Sequence, residues 1–175
     1  MVTAEYKNDL RKFKQFSAFH LLVARGIRSY AFPTAFWVFG ILMFVAAIVS
    51  KNTVLYVAAA ALVLIGFFLP FLFVWMQNGR INKRYRGDDG YEKIRQIFSF
   101  SQSGLHLLLK ARGKEEEYDI QYEQILRIYE LKYVYYVYIG SAHALIIEKA
   151  SVREDYDGEL KGYFRTIGKR FREKR

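Results

Sequence analysis

From Ser29 to Gly79 the chain carries one charged side chain, Lys51, and Arg28 and Arg80 bracket that stretch. Over the full 175 residues 25% are charged and 53% are hydrophobic, so the two kinds of residue are segregated along the sequence. Segments apolar on every side have to be buried in protein or in lipid. This pattern excludes a simple soluble globule and predicts a membrane protein.

The uncharged stretch reads as two helices. The first covers about Phe32–Ser50, with Pro33 suited to a first helical turn. As a helix it spans roughly 28 Å, close to the hydrocarbon thickness of a bilayer. The second covers Thr53–Met76, about 36 Å, and is expected to tilt or to bend at Pro70. Its Leu, Ile, Phe and Val residues favour insertion by roughly 4–8 kcal/mol. Only Lys51-Asn52 separates the two, which predicts a tight hairpin. Polar residues ahead of the first run, and a second run directly behind it, argue against a cleaved signal peptide.

Orientation follows from the flanks. Lys7, Arg11, Lys12, Lys14, Arg25 and Arg28 precede the hairpin, and Arg80, Lys83, Arg84 and Arg86 follow it. The positive-inside rule then places both termini in the cytoplasm. Tyr30, Phe32, Phe36, Trp37 and Trp75 suit an aromatic belt at that side. Neither run holds Asp, Glu, Lys, Arg or His, which argues against an ion or proton pathway. Gly40, Ala46-Ala47, Ala58–Ala61 and Gly66 are the small residues expected to let the helices pack closely.

Residues 1–29 form an N-terminal arm. From Asn8 onward, Leu10, Phe13, Phe16, Ser17, His20, Val23, Ala24 and Ile27 recur at helical spacing, with Asn8 or Asp9 as N-cap. The arm lies at the interface of an anionic bilayer, or packs on the C-terminal domain and continues into the hairpin; the two readings are compatible. With residues 30–76 as the hairpin, residues 77–175 make the third segment. Strands are expected at Arg95–Ser101, Leu105–Lys110, Glu116–Gln121, Ile125–Leu131, Tyr133–Ile139 and Ala142–Glu148, joined as an antiparallel meander. Tyr133–Ile139 is apolar on both faces, so both faces need cover or a wet aromatic interface. A final helix, capped by Asp155 or Asp157, places Leu160, Phe164, Ile167 and Phe171 on one stripe. Asp89 is a candidate cap for a short helix over 91–96.

A short arm, a hairpin and a sheet ending in strand–turn–strand combine with three local patterns. These are Ile120-Gln121-Tyr122-Glu123-Gln124-Ile125, then Tyr135-Tyr136-Val137-Tyr138-Ile139, then Ala144-Leu145-Ile146-Ile147-Glu148-Lys149. Together they resemble the YcxB-like family of bacterial membrane proteins. Tyr122 stands where that family has Trp, and Glu148 where it has Pro. The resemblance implies a pleckstrin-homology-like (PH-like) β domain with seven strands and a terminal helix, one more strand than the pattern above supplies. It brings no catalytic residues.

No phosphate loop, nucleophile elbow or zinc motif is present, and the absence of Cys excludes disulfides and thiolate sites. His20, His106 and His143 lack metal-ligand neighbours. Glu115-Glu116-Glu117 with Asp119 reads as a solvated hairpin rim. The net charge of +10 is distributed unevenly: residues 1–28 carry +4, Lys51 +1, residues 80–86 +4, residues 161–175 +6, and residues 87–160 carry −5. An acidic body flanked by basic segments disfavours nucleic acid and fits an anionic leaflet. The expectation is an α+β membrane protein of the bacterial inner membrane. A two-helix transmembrane hairpin presents a small antiparallel β (PH-like) domain, closed by a C-terminal helix, to a protein partner or anionic lipid headgroups, with no enzymatic activity and no cofactor. Arg25, Arg28, Arg80, Lys83, Arg84, Arg86, Lys161, Arg165, Lys169 and Arg172 are the expected membrane-surface contacts. The alternative is a small accessory or immunity-type protein acting through self-assembly of the hairpin into homo-oligomers.

Overall fold

The computed structural model describes residues 1–24, 30–87, 94–111, 113–141, 143–155 and 158–173, with only the backbone of residues 86 and 87. The protein is α+β, with two long apolar helices and largely antiparallel sheets. It divides into two compact units: Met1–Phe16 with Tyr85–Arg175, and Ser17–Arg84.

In the first unit, β1 (Val2–Lys7) precedes α1 (Leu10–Phe19). Asp9 caps α1, its Oδ1 accepting from the Arg11 N–H at 2.7 Å. After the helical segment come β2 (Arg95–Phe100), β3 (Gly104–Ala111), β4 (Lys114–Gln121), β5 (Arg127–Glu130), β6 (Val134–Tyr138), β7 (Ala144–Glu148), β8 (Val152–Arg153), α4 (Glu159–Thr166) and β9 (Phe171–Glu173). Two sheets form, ordered β4-β3-β2-β1-β8 and β7-β6-β5-β9. Each expected strand is present, with bounds shifted by a few residues at most; Ala142 lies outside the described residues. The expected single meander is corrected on two counts. The chain changes sheet between β4 and β5, and β9 joins β5 in parallel.

β1 is the strand that the arm's helical pattern did not reveal. It pairs with β2 along its whole length, from Val2↔Phe100 to Lys7↔Arg95, and with β8 on its other side. Val2, Ala4 and Tyr6 alternate into the core with period two. The two long apolar helices are therefore inserted, in chain order, between two neighbouring strands of one sheet.

Core side chains come from both sheets and from α4. Phe98, Phe100, Ile128, Val137, Ile147, Leu160 and Phe164 are essentially inaccessible. Phe164 meets Phe100 of the first sheet at 5.7 Å and Tyr135 of the second at 5.2 Å, both edge-on. β6 is covered on both faces, as its composition requires. Tyr135 faces Phe164, and Tyr136 and Tyr138 meet Phe16 of α1 at 5.2 and 6.0 Å. Phe13 adds a contact with Tyr85 at 6.3 Å. The arm up to Phe16 thus packs on the domain.

The terminal helix is shorter than its apolar spacing suggests. Asp155 accepts from the Leu160 N–H at 3.0 Å, and Asp157 lies outside the described residues. α4 ends at Thr166, and Gly168, at φ +65°, opens a 3-10 turn over Gly168–Arg170 that leads into β9. Phe171 consequently sits in β9 opposite Ile128 rather than on the helical stripe. Asp89 is also outside the described residues, while Arg95 and Gln96, expected in its short helix, are in β2.

In the second unit, a π-helical turn (His20–Ala24) continues α1, and α2 (Ala31–Ser50) and α3 (Thr53–Gly87) follow. α3 continues well past the expected end at Met76. Gln77–Arg86 is rich in good helix formers, and Ile81 and Tyr85 bury themselves one turn apart. Lys51, at φ 54°, turns the chain, and Asn52 Oδ1 accepts from the Val54 N–H at 2.9 Å. Pro33, Gly40 and Ala47 are buried at seven-residue intervals on α2, with Ala59 and Gly66 on α3. A Cβ on Gly40 would come within 2.8 Å of Val63, and one on Gly66 within 2.5 Å of Trp37. Gly40, Ala47, Ala59 and Gly66 thus form the seam between the helices, whereas Ala46, Ala60 and Ala61, expected there, are exposed.

Candidate functional site

The expected surface cations do not share one environment. Arg25 and Arg28 lie outside the described residues, as does the side chain of Arg86. Arg80, Lys83 and Arg84 are exposed on the last turns of α3, and Arg165, Lys169 and Arg172 are exposed on and after α4. These side chains are available to anions.

Lys161 is not a free surface cation. Its Nζ lies 2.7 Å from Glu173 Oε1 and 3.1 Å from Glu130 Oε2. Glu130 is the buried charge among the described residues, 7% exposed at the end of β5. Lys149, after β7, donates to its Oε1 at 2.7 Å, and the Lys149 ammonium stands 4.7 Å from the Tyr135 ring centre. The Tyr135 hydroxyl lies 3.4 Å from the same oxygen. Burial opposes ionisation of Glu130, but the hydrogen bonds and charges of Lys149 and Lys161 outweigh it and hold the carboxyl below its ordinary value. Burial, then Glu130 itself, push the Tyr135 phenol up, so it remains a neutral donor. This network ties β5, β6, the end of β7, α4 and β9 together. Sequence reasoning missed it; the signal was a lone carboxylate closing an apolar strand, and a lysine closing another.

Arg170 is likewise committed. Its Nη1 donates to the carbonyls of Glu123 and Ile125 at 2.9 and 2.8 Å. That ties the segment after α4 to the turn where the chain changes sheet. Tyr122 in this turn donates to the Ser101 carbonyl at 2.8 Å. Trp, like Tyr, joins an aromatic body to a donor at its tip, which explains why Tyr is tolerated at the family's Trp position. Leu126 follows at 54% exposure, beside Ile139 at 38%, its N–H donating to the Tyr138 carbonyl. This exposed aliphatic pair lies next to the Ile125 carbonyl that Arg170 holds. Glu148, at the Pro position, pairs with Lys12 of α1, an ion pair proline could not make.

A polar groove and a smaller cavity of mixed lining lie in this unit. A groove of about 640 Å³ runs between the β1–α1 junction and the segment around β8, with Lys7, Asp9, Glu148 and Arg153 in its wall. A smaller cavity of about 220 Å³ is lined by Ser101, Ser103, His106 and Asp119. His106 Nδ1 and Asp119 Oδ1, a cross-strand pair of β3 and β4, are 2.7 Å apart. The Ser101 hydroxyl is engaged with Ser103 and with the backbone of Gly104. His143 is elsewhere, in the β6–β7 turn, its carbonyl accepting from Ile139 and Gly140. Among the described residues no three His, Asp or Glu side chains converge on a metal position. The acidic rim is exposed, with Lys110 pairing Glu115 at 2.7 Å and Tyr118 donating to Glu116 at 2.6 Å.

No curated protein and no solved structure matches the chain. A family model described as YcxB-like protein matches residues 106–165, from β3 into α4, and leaves the hairpin outside the match. The matched segment contains the Tyr122 turn, the Tyr-rich strand β6 and the β7–Lys149 segment that carried the resemblance, so the chain contains a YcxB-like domain.

Proposed function

We propose that this chain is an integral membrane protein whose hairpin holds a PH-like β module at the cytoplasmic face of the bacterial inner membrane. The module binds a protein partner or anionic lipid headgroups and performs no reaction. One observation carries the reading. In the most apolar stretches of α2 and α3 only 17% and 11% of residues are buried, although both helices are long and apolar enough to cross a bilayer. A core helix of a soluble protein would be mostly covered, so these helices need an apolar environment from outside the chain. Two packed sheets with Phe164 of α4 between them support the PH-like architecture. Exposed Arg165, Lys169 and Arg172, with the Leu126–Ile139 pair, supply the surface.

The chain has no cysteine, so single labels are clean. Asn52→Cys should react with an impermeant maleimide in intact cells, and Gly162→Cys, on the exposed side of α4 with open space at its Cβ, only after permeabilisation. The opposite pattern overturns the topology. A fluorophore at Gly162→Cys should approach the bilayer more closely with anionic than with zwitterionic lipid, and Arg165→Glu with Lys169→Glu and Arg172→Glu should abolish that difference. If lipid charge makes no difference in the wild type, the headgroup arm falls and the protein-partner arm stands.

A further inference from the structure

We infer that the free edge of β4 takes up an extended basic segment of a partner protein as an added strand. The site shares no residue with the Arg165, Lys169 and Arg172 surface, and it requires neither lipid nor the hairpin. The sheets end in β4 and β8 on one side of the core, and in β7 and β9 on the other. An open edge offers a row of unpaired N–H and C=O groups, and natural sheets shorten it, cover it or bend it away. β8 and β9 are short, at two and three residues, and β7 is buried through its middle. β4 is neither short nor covered. It runs for eight residues and pairs with β3 without a break, from Gly104↔Gln121 to Ala111↔Lys114. It holds no proline and no bulge, and all its residues except Ile120 are exposed. The backbone groups of every second residue therefore face solvent in strand geometry. Among the described residues no element pairs with that edge.

The side chains select what can pair there. Lys114 is the one basic residue of β4, against Glu115, Glu116, Glu117 and Asp119. A second copy of β4 would set carboxylates beside carboxylates, which disfavours self-pairing, whereas a strand carrying Lys or Arg meets opposite charge. The register divides the row between two faces. Glu115, Glu117 and Asp119 lie opposite Lys110, Leu108 and His106. Lys110 and His106 already pair with Glu115 and Asp119, so Glu117 stands at the centre of this face with no ion-pair partner among the described residues. On the other face Tyr118, 48% exposed, and Ile120 lie opposite Leu107 and Leu105 and carry that buried row out to the rim. The strand that fits therefore alternates, with Lys or Arg on the face of Glu117 and an aliphatic residue on the face of Tyr118. Backbone hydrogen bonds supply the attachment, and the two faces supply the selectivity.

Full-length protein in an uncharged detergent is titrated against a fluorescent peptide of alternating Lys and Val, matched in length to β4, and binding is read by anisotropy. Saturable binding is expected, with added protection from amide exchange confined to Lys114–Gln121. A peptide of alternating Glu and Val, and a peptide with the sequence of β4 itself, should not bind. The Lys–Val peptide methylated at its backbone nitrogens keeps its charge, donates no backbone hydrogen bonds and should not bind either. Glu115→Lys with Glu117→Lys, both at exposed positions that tolerate the change, should weaken the Lys–Val peptide roughly tenfold and admit the Glu–Val peptide. Equal binding of the methylated and parent peptides overturns strand addition, leaving charge attraction alone. Equal binding of the Lys and Glu peptides overturns the selection for a basic partner, and binding of the β4 peptide makes a second copy the occupant. No binding of the Lys–Val peptide, or protection that falls outside β4, overturns the site.

Discussion

Because β1 comes from the far side of the hairpin insertion, the sheet module cannot be obtained by truncation at the end of α3. A chain beginning at Tyr85 lacks the strand between β2 and β8. Its loss removes the buried side chains of Val2, Ala4 and Tyr6, together worth roughly 4–6 kcal/mol of apolar burial. It also removes a ladder spanning six paired positions on β2, at about 1 kcal/mol net per hydrogen bond. The combined loss approaches the whole stability of a typical domain, about 5–15 kcal/mol. Residues 85–175 alone should therefore show no cooperative unfolding transition. Met1–Phe16 joined to Tyr85–Arg175 by a short Gly/Ser linker should restore one, since Phe13 and Tyr85 already lie in contact. Circular dichroism through a urea titration reads both proteins. Equal midpoints with and without residues 1–16 would refute the reasoning.

Three further outcomes are expected. Glu130→Gln should destabilise the fused module by roughly 1–3 kcal/mol, less than a fully buried pair because Lys149 and Lys161 are about a third exposed. Since folding lowers the Glu130 pKa, its contribution is complete above the ordinary value of 4.5 and is lost as pH falls through the folded value. Thermal melts at decreasing pH should show Glu130→Gln losing less stability than wild type across that acid range. Phe164→Ala should cost about 3–5 kcal/mol in urea, because its ring is inaccessible and contacts both sheets. Gly40→Leu should loosen the hairpin by roughly 1–3 kcal/mol through overpacking against Val63 and the Ala59 carbonyl, measured as reduced energy transfer between labels on α2 and α3.

The pairing of β1 marks where a local reading of the sequence stops. Charge segregation located both apolar helices and the turn between them, because a run apolar enough to cross a bilayer must lack charge over its length. Alternation and turn chemistry located β2 to β7, because both are local properties. The boundary of α3 was missed, because Ile81 and Tyr85 form a stripe too short to stand out among basic neighbours. Phe171 illustrates a different failure: its spacing continues the helical stripe of Phe164, but the α-helix stops at Thr166 and a 3-10 turn over Gly168–Arg170 carries the chain into a strand.

The basic residues after α4 show the same division at the candidate surface. Composition put Lys161, Arg165, Lys169 and Arg172 in one class. The fold separates them, committing Lys161 to Glu130 and Glu173 while Arg165, Lys169 and Arg172 remain exposed. The sequence by itself determined the segregated apolar helices, the strand-rich segment after them and the YcxB-like pattern, since each depends on residues close together along the chain. Only the tertiary structure decided that β1 completes a sheet from across the hairpin, and which cations are spent on Glu130. Pairing between residues so far apart in sequence leaves no periodicity to read.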